Sequence, residues 1–329
     1  MFPDMKVGAP IQATAKDLAK VKSSTSRHLV FVLLLIASVL VFWTPLRSLA
    51  SLSFQNEEYS HIALIPLLAL VVLYLERTRI SQGVHYALSA GALVLLGGIA
   101  LDCLAVVYST CMSQDSNLFL RILSLVLLWI GGFVLCYGAQ AFRARGFTLR
   151  FSLLMVPLPR ILMHKPIEVI QYGSADVASL FFKLASVPVF RDGLRFSLPG
   201  LDMEIATQCS GIHSSLALFV LSLLVGHFYL KSGWNKIALS LSVLPIISLT
   251  NGFRIFTISW LSAYVDMSFF TGGLHRKGGV LFFFLGLILL ASLLHWLRIR
   301  ERGQQIAAKA VGKMNCVSAA PVEQAPLSR

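Results

Sequence analysis

Residues 118–137 read LFLRILSLVLLWIGGFVLCY, an apolar run interrupted by one charge, Arg121. An α-helix of about 20 such residues spans the hydrocarbon core of a bilayer. The run lacks the two-residue alternation of a barrel strand, so it reads as a transmembrane helix. The chain as a whole has the same character. Of its 329 residues, 56% are hydrophobic and 13% charged, against roughly 25% charged in soluble domains. The mean hydropathy is +0.76. The expected fold is all-α, a polytopic helical membrane bundle.

Working outward from this run, about eight crossings are expected, at residues 29–46, 61–75, 84–101, 118–137, 147–163, 209–230, 236–264 and 280–297. The fifth is interrupted by Pro157-Leu158-Pro159, which a membrane helix tolerates where neighbours satisfy the freed backbone. Between the fifth and sixth, residues 167–185 are helical in pattern yet carry Glu168, Gln171, Asp176 and Lys183. Such a helix is expected to lie on or dip into the membrane. Residues 187–205 then alternate over 194–198 and 201–205 between turn residues, the pattern of short strands. The expected domains are a polar N-terminal tail (1–28), one transmembrane domain (29–298) and a basic, flexible C-terminal tail (299–329). Ser48-Leu49-Ala50 imitates a signal cleavage site, but the polar tail is too long for a signal peptide, so the first helix is expected to stay.

Charge placement orients the bundle. With both termini in the cytoplasm, 18 of the 28 lysines and arginines fall inside and eight outside, while Arg121 and Arg254 lie within helices. This is the positive-inside bias. The net charge of +13 follows from that topology, with the lipid bilayer as partner and no nucleic acid.

A second stretch carries the chemistry: Gln208-Cys209-Ser210-Gly211-Ile212-His213-Ser214-Ser215, at the outer end of the sixth helix. A thiol at a helix start meets unpaired N–H groups and the positive end of the dipole, which favour the thiolate. The competing reading is a small-residue helix contact. Arg254, inside the seventh helix, costs about 2.5–3.5 kcal/mol on insertion scales and so marks a functional position. Its five fixed donors suit an oxyanion or a carboxylate. Asn251 lies one turn earlier on the same face and can orient it. The structural alternative is an ion pair with Glu204 or Asp266. His275, in the loop before the eighth helix, has the titration range of a general acid or base. His213, four residues after Cys209, is its rival for that role. The topology puts Cys209, Arg254 and His275 at similar depth on the outer side.

The five cysteines form no CxxC or Cys/His ligand pattern, and no metal or cofactor is expected. Cys136, in mid-helix, reads as packing. Cys103 and Cys111 share an outer loop and are candidates for a disulfide in an oxidising compartment.

At these residues the chain resembles the exosortase/archaeosortase family of membrane cysteine transpeptidases. Tyr59-Ser60-His61 with Pro66, Met155-Val156-Pro157-Leu158-Pro159, Gln171, Pro188-Val189, Arg191, Gly193, Leu198-Pro199 and Glu204 match its motifs in order. Cys209-Ser210-Gly211-Ile212, Asn251 with Arg254, and His275 follow. The sequence departs from the family at His213, where arginine is common, and at Ile62, where glycine is common. The resemblance implies Cys209 as nucleophile, Arg254 as oxyanion stabiliser and His275 as general acid/base, with His61 and His213 as supporting candidates. It implies substrates anchored in the same membrane, each with a C-terminal Pro-Glu-Pro-like motif, a transmembrane helix and a basic tail. It also implies a bacterial inner membrane, with the site facing the periplasm. Two readings from other classes compete: an anion transporter built around Arg254, and a structural component of an envelope-polysaccharide export system.

Overall fold

The computed structural model describes residues 26–76, 88–199, 201–205, 212–268 and 279–318. Cys209 and His275 lie outside the described residues. The described chain is mostly helical, as expected. Its order is α1 (Ser26–Val41), α2 (Trp43–Gln55), a 3-10 segment (Glu57–Ala63), α3 (Leu64–Glu76), α4 (Leu88–Val107), α5 (Gln114–Tyr137), α6 (Ala139–Arg145), α7 (Phe147–Phe151), a second 3-10 segment (Ser152–Met155) and α8 (Arg160–Leu184). Strands β1 (Phe190–Asp192), β2 (Arg195–Leu198) and β3 (Leu201–Glu204) follow, then α9 (Ile212–Tyr229), α10 (Gly233–Leu241), α11 (Val243–Tyr264) and α12 (Gly279–Ser318).

Among the described residues, four helices are long and apolar enough to cross a membrane: 89–107, 114–137, 233–264 and 279–306. The α1–α2 pair passes the same test jointly but bends by 71°. Pro45 explains that bend, because its ring would collide with the carbonyl four residues earlier, at Val41. Residues 59–75 and 215–229 form shorter apolar helices. The protein is therefore an integral membrane protein, with four candidate spans among the described residues, or five if the bent pair is one span. The expected fifth crossing is not one helix. Pro157 and Pro159 mark an extended break that divides it into α7, the 3-10 segment and the first residues of α8. The expected C-terminal tail differs too, since α12 runs unbroken to Ser318.

The chain divides into two compact units, 1–164 and 165–329. In the first, glycines bring α4 and α5 together. A β-carbon on Gly91 would come within 2.6 Å of the Leu135 backbone, and one on Gly131 within 2.7 Å of the Leu95 backbone. Small residues of this kind let membrane helices approach closely. Arg121 is accommodated beside this contact, with its Nε donating to Asp102 Oδ1 at 3.2 Å. Helix α1 joins α5 through Trp129 Nε1, which donates to Ser38 Oγ at 2.8 Å. Cys136 is buried with Phe133, Tyr137 and Ala141, as a packing residue should be. Cys103 and Cys111 are both exposed and free, so the disulfide does not form in this structure.

The first unit also joins two of the quoted motifs. Tyr59 is buried, and its hydroxyl donates to the Leu158 carbonyl at 2.9 Å. The chain is non-helical at residues 157–159 and the Leu162 N–H goes to the Pro159 carbonyl, so the Tyr59 hydroxyl serves the Leu158 carbonyl from outside the helix. Ser53 Oγ holds the Tyr59 turn in place by donating to the Tyr59 carbonyl and accepting from the Ala63 N–H.

In the second unit, β1, β2 and β3 form an antiparallel sheet in sequence order. Gly193, at φ +60°, makes the β1–β2 turn, a conformation that side chains disfavour. The sheet packs Phe196, Leu198 and Leu201 against Ala175, Ala178 and Phe182 of α8. Arg191 Nη1 bonds Asp176 Oδ1 at 2.8 Å, which ties the sheet to α8. A second core holds Leu218 and Leu230 with Leu239, Val243 and Ile247, and with Leu290 and Leu297 of α12.

Candidate active site

Helix α11 carries Asn251 and Arg254, and its packing against α8 fixes its register. A β-carbon on Gly252 would meet Val177 Cβ at 2.6 Å and the Ser174 carbonyl at 2.8 Å, so the helices touch backbone to side chain there. Beside this contact, Asn251 is buried and its Nδ2 donates to Ser174 Oγ at 3.1 Å. Asn251 therefore holds the helix that carries Arg254, a role consistent with orienting it. Pro245 accounts for the one-residue interruption at Ser242 between α10 and α11, again by displacing the carbonyl four residues back.

Arg254 is half-buried on the next turn. Together with Thr250, Asn251 and Ile247 it lines a cleft closed by Leu218 of α9 and by Gly279, Phe282 and Phe283 of α12. Thr250 turns its hydroxyl back to the Ile246 carbonyl at 3.0 Å, leaving the amide of Asn251 and the guanidinium of Arg254 as the polar groups of the lining. One guanidinium nitrogen lies 4.0 Å from where a β-carbon of Gly279 would stand. The cation thus sits at the first residue of α12, four residues after His275 in the chain.

The two acids weighed against a functional Arg254 have other partners. Glu204 Oε2 accepts from Arg195 Nε at 3.1 Å, across a pair set by the β2–β3 register. Asp266 Oδ1 accepts the Ser268 N–H at 2.8 Å, which holds its carboxyl below the usual range.

The chain that leads to Cys209 is fixed at Ile205. Ile205 is buried beside Ile255, its N–H donates to the Leu194 carbonyl, and its carbonyl accepts from Gln171 Nε2 at 3.3 Å. Gln171 and the strands quoted from the sequence therefore anchor the chain four residues before Cys209. Helix α9 begins at Ile212. His213 is in its first turn, and its side chain is outside the described set. His61 is half-buried in the first unit. Ser174, which sequence reasoning missed, is a fully buried hydroxyl on a helix with many polar residues. Only its contact with Asn251 singles it out.

A family model described as transmembrane exosortase matches residues 49–292. The chain belongs to the exosortase family. The matched span runs from α2 into α12, and so includes the Tyr59–Leu158 bond, the sheet, and the whole cleft around Arg254. The exosortase family is one of transmembrane sorting transpeptidases. The chain has no match among curated proteins and none among solved structures.

Proposed function

We propose that the chain is a membrane cysteine transpeptidase that cleaves C-terminal sorting signals of exported proteins at the outer face of a bacterial inner membrane. The observation that carries this reading is Arg254 in the cleft at the start of α12. An extended chain covers at most about 3.6 Å per residue. His275, four residues before Gly279, is thus within about 14 Å of it, and Cys209 is within about 11 Å of Ile212. These tethers allow all three side chains to meet at one cleft.

In the reaction, the Cys209 thiolate attacks the carbonyl carbon of the peptide bond after the sorting motif. Arg254 donates to the oxyanion as the tetrahedral centre forms. The C–N bond breaks, and His275 gives its proton to the departing amine. The resulting thioester on Cys209 is resolved by an acceptor amine, giving a new amide, or by water, giving a carboxylate; either step returns the thiol. The substrate shares the bilayer with the enzyme, and its transmembrane helix supplies much of the proximity required. Eight crossings with both termini inside would put the site outside, with α3, α9 and the broken 139–163 region as the shorter or irregular crossings.

The test is a membrane-anchored reporter with a Pro-Glu-Pro motif, a transmembrane helix and a basic tail, co-expressed with the full chain. Cys209→Ala, Arg254→Ala and His275→Ala should each abolish loss of the reporter's C-terminal segment. Comparing His275→Ala with His213→Arg decides between the histidines. Full activity of His275→Ala with loss in His213→Arg would transfer the acid/base role to His213.

A further inference from the structure

At the opposite end of the second unit, one carboxylate joins three helices. Glu301 of α12 is buried. Its Oε2 accepts the Lys231 N–H at 3.0 Å, and its Oε1 accepts the Ser232 N–H at 2.9 Å and Asn235 Nδ2 at 2.8 Å. Lys231 and Ser232 form the turn between α9 and α10, and Ser232 is the N-cap of α10 without a side-chain cap bond of its own. Glu301 therefore caps α10 from another helix, where an anion is favoured by the helix dipole and unpaired N–H groups. Two weaker ties lie alongside: Arg298 over the Tyr229 ring at 4.7 Å, and Lys231 Nζ to Gln305 Oε1 at 3.4 Å.

Two of the helices joined here follow proposed catalytic groups in the chain, and the third, α10, leads across Ser242 into the helix that carries Arg254. Cys209 precedes α9, Arg254 lies on α11 beyond α10, and His275 precedes α12. At 1.5 Å per residue, Glu301 is about 33 Å along α12 from Gly279. Helices are stiff along their axes, so fixing their axial register at one end fixes it at the other. We infer that Glu301 is a positioning residue that sets the mutual register of the nucleophile, the guanidinium and the imidazole from the far side of the bundle. Glu301 lies beyond the family match, which ends at residue 292. The inference rests on the cysteine transpeptidase reading above.

Two measurements on the full chain test it, one independent of catalysis. Val265 and Val280, both exposed, are replaced by cysteine in a chain whose native cysteines are serine, spin-labelled, and their separation measured by pulsed electron resonance. Glu301→Gln should broaden or shift the distance distribution, and Glu301→Asp should restore part of it. In the native-cysteine background, Glu301→Gln should keep its membrane level and the reporter KM while kcat falls about tenfold or more, because misplacing reacting groups by about 1 Å can cost about 100-fold. A purely structural Glu301 would instead lower the amount of folded protein and leave kcat per molecule intact, which would overturn the inference. An unchanged distance distribution would overturn it as well. If Cys209→Ala still processes the reporter, the nucleophile assignment and the catalytic role of Glu301 both fall, whatever the distances show.

Discussion

A guanidinium nitrogen of Arg254 lies 4.0 Å from the position that a β-carbon on Gly279 would occupy. That distance is ordinary van der Waals contact, so the glycine is not required by space. It keeps an apolar or charged side chain away from the cation. Gly279→Ala should accordingly retain the protein level and most of the activity. Gly279→Asp would bring a carboxylate to the guanidinium and neutralise it before any oxyanion forms. It should keep the fold and lose reporter processing by about 100-fold or more, the scale of losing one oxyanion donor. Membrane levels and processing rates of the two variants check this together.

The α8–α11 contact predicts a sharp contrast among glycines. Gly252→Ala forces a β-carbon onto Val177 and the Ser174 carbonyl. It should destabilise by about 1–3 kcal/mol, the usual scale of overpacking, and lower activity through the displaced Arg254. A β-carbon on Gly97 or Gly303 would meet nothing within 4 Å. Alanine there should be neutral or stabilising by up to about 1 kcal/mol. Denaturant titration of the purified protein in detergent separates the three.

The buried bond from Asn251 to Ser174 predicts coupling. Ser174→Ala should cost about 1 kcal/mol, and Asn251→Leu should cost about 1–3 kcal/mol because it strands a buried hydroxyl. The double variant should cost less than the sum, since the stranded partner is then gone. Strict additivity in the same titration would remove this bond from the account.

Tyr59→Phe removes the hydroxyl that serves the Leu158 carbonyl. A loss of about 1 kcal/mol is expected in the first unit, with no change in the kcat of protein that remains folded. A specific fall in kcat would give Tyr59 a part in the reaction.

Much of this architecture was legible in the chain. The apolar runs placed α3 and α9 to within three residues and α5 to within four, and they located α1, α4 and α11 with one end each off by five to seven residues, while alternation placed β2 and β3. Arg254 and Asn251 were legible as polar groups that a membrane helix keeps only for a reason. Their convergence with the start of α12 is seen in the cleft. The misses have a common cause. Pro45 and Pro245 bend or interrupt helices by amounts that packing decides, and Pro157 with Pro159 broke a run that composition made look continuous. The length of α12 was missed because its basic, polar continuation looks like a tail. Glu301 and Ser174 found their partners 66 to 77 residues away in the chain, at separations where periodicity carries no information.

The proposed reaction passes through a covalent intermediate on Cys209. The most direct test is intact-mass measurement of the purified full chain after incubation with the tripartite reporter and without an acceptor amine. A reporter fragment should be attached to the wild-type protein, released by neutral hydroxylamine as a thioester should be, and absent from Cys209→Ala, which leaves the reporter whole. A Cys209→Ala protein that trims the reporter at the wild-type rate would contradict it.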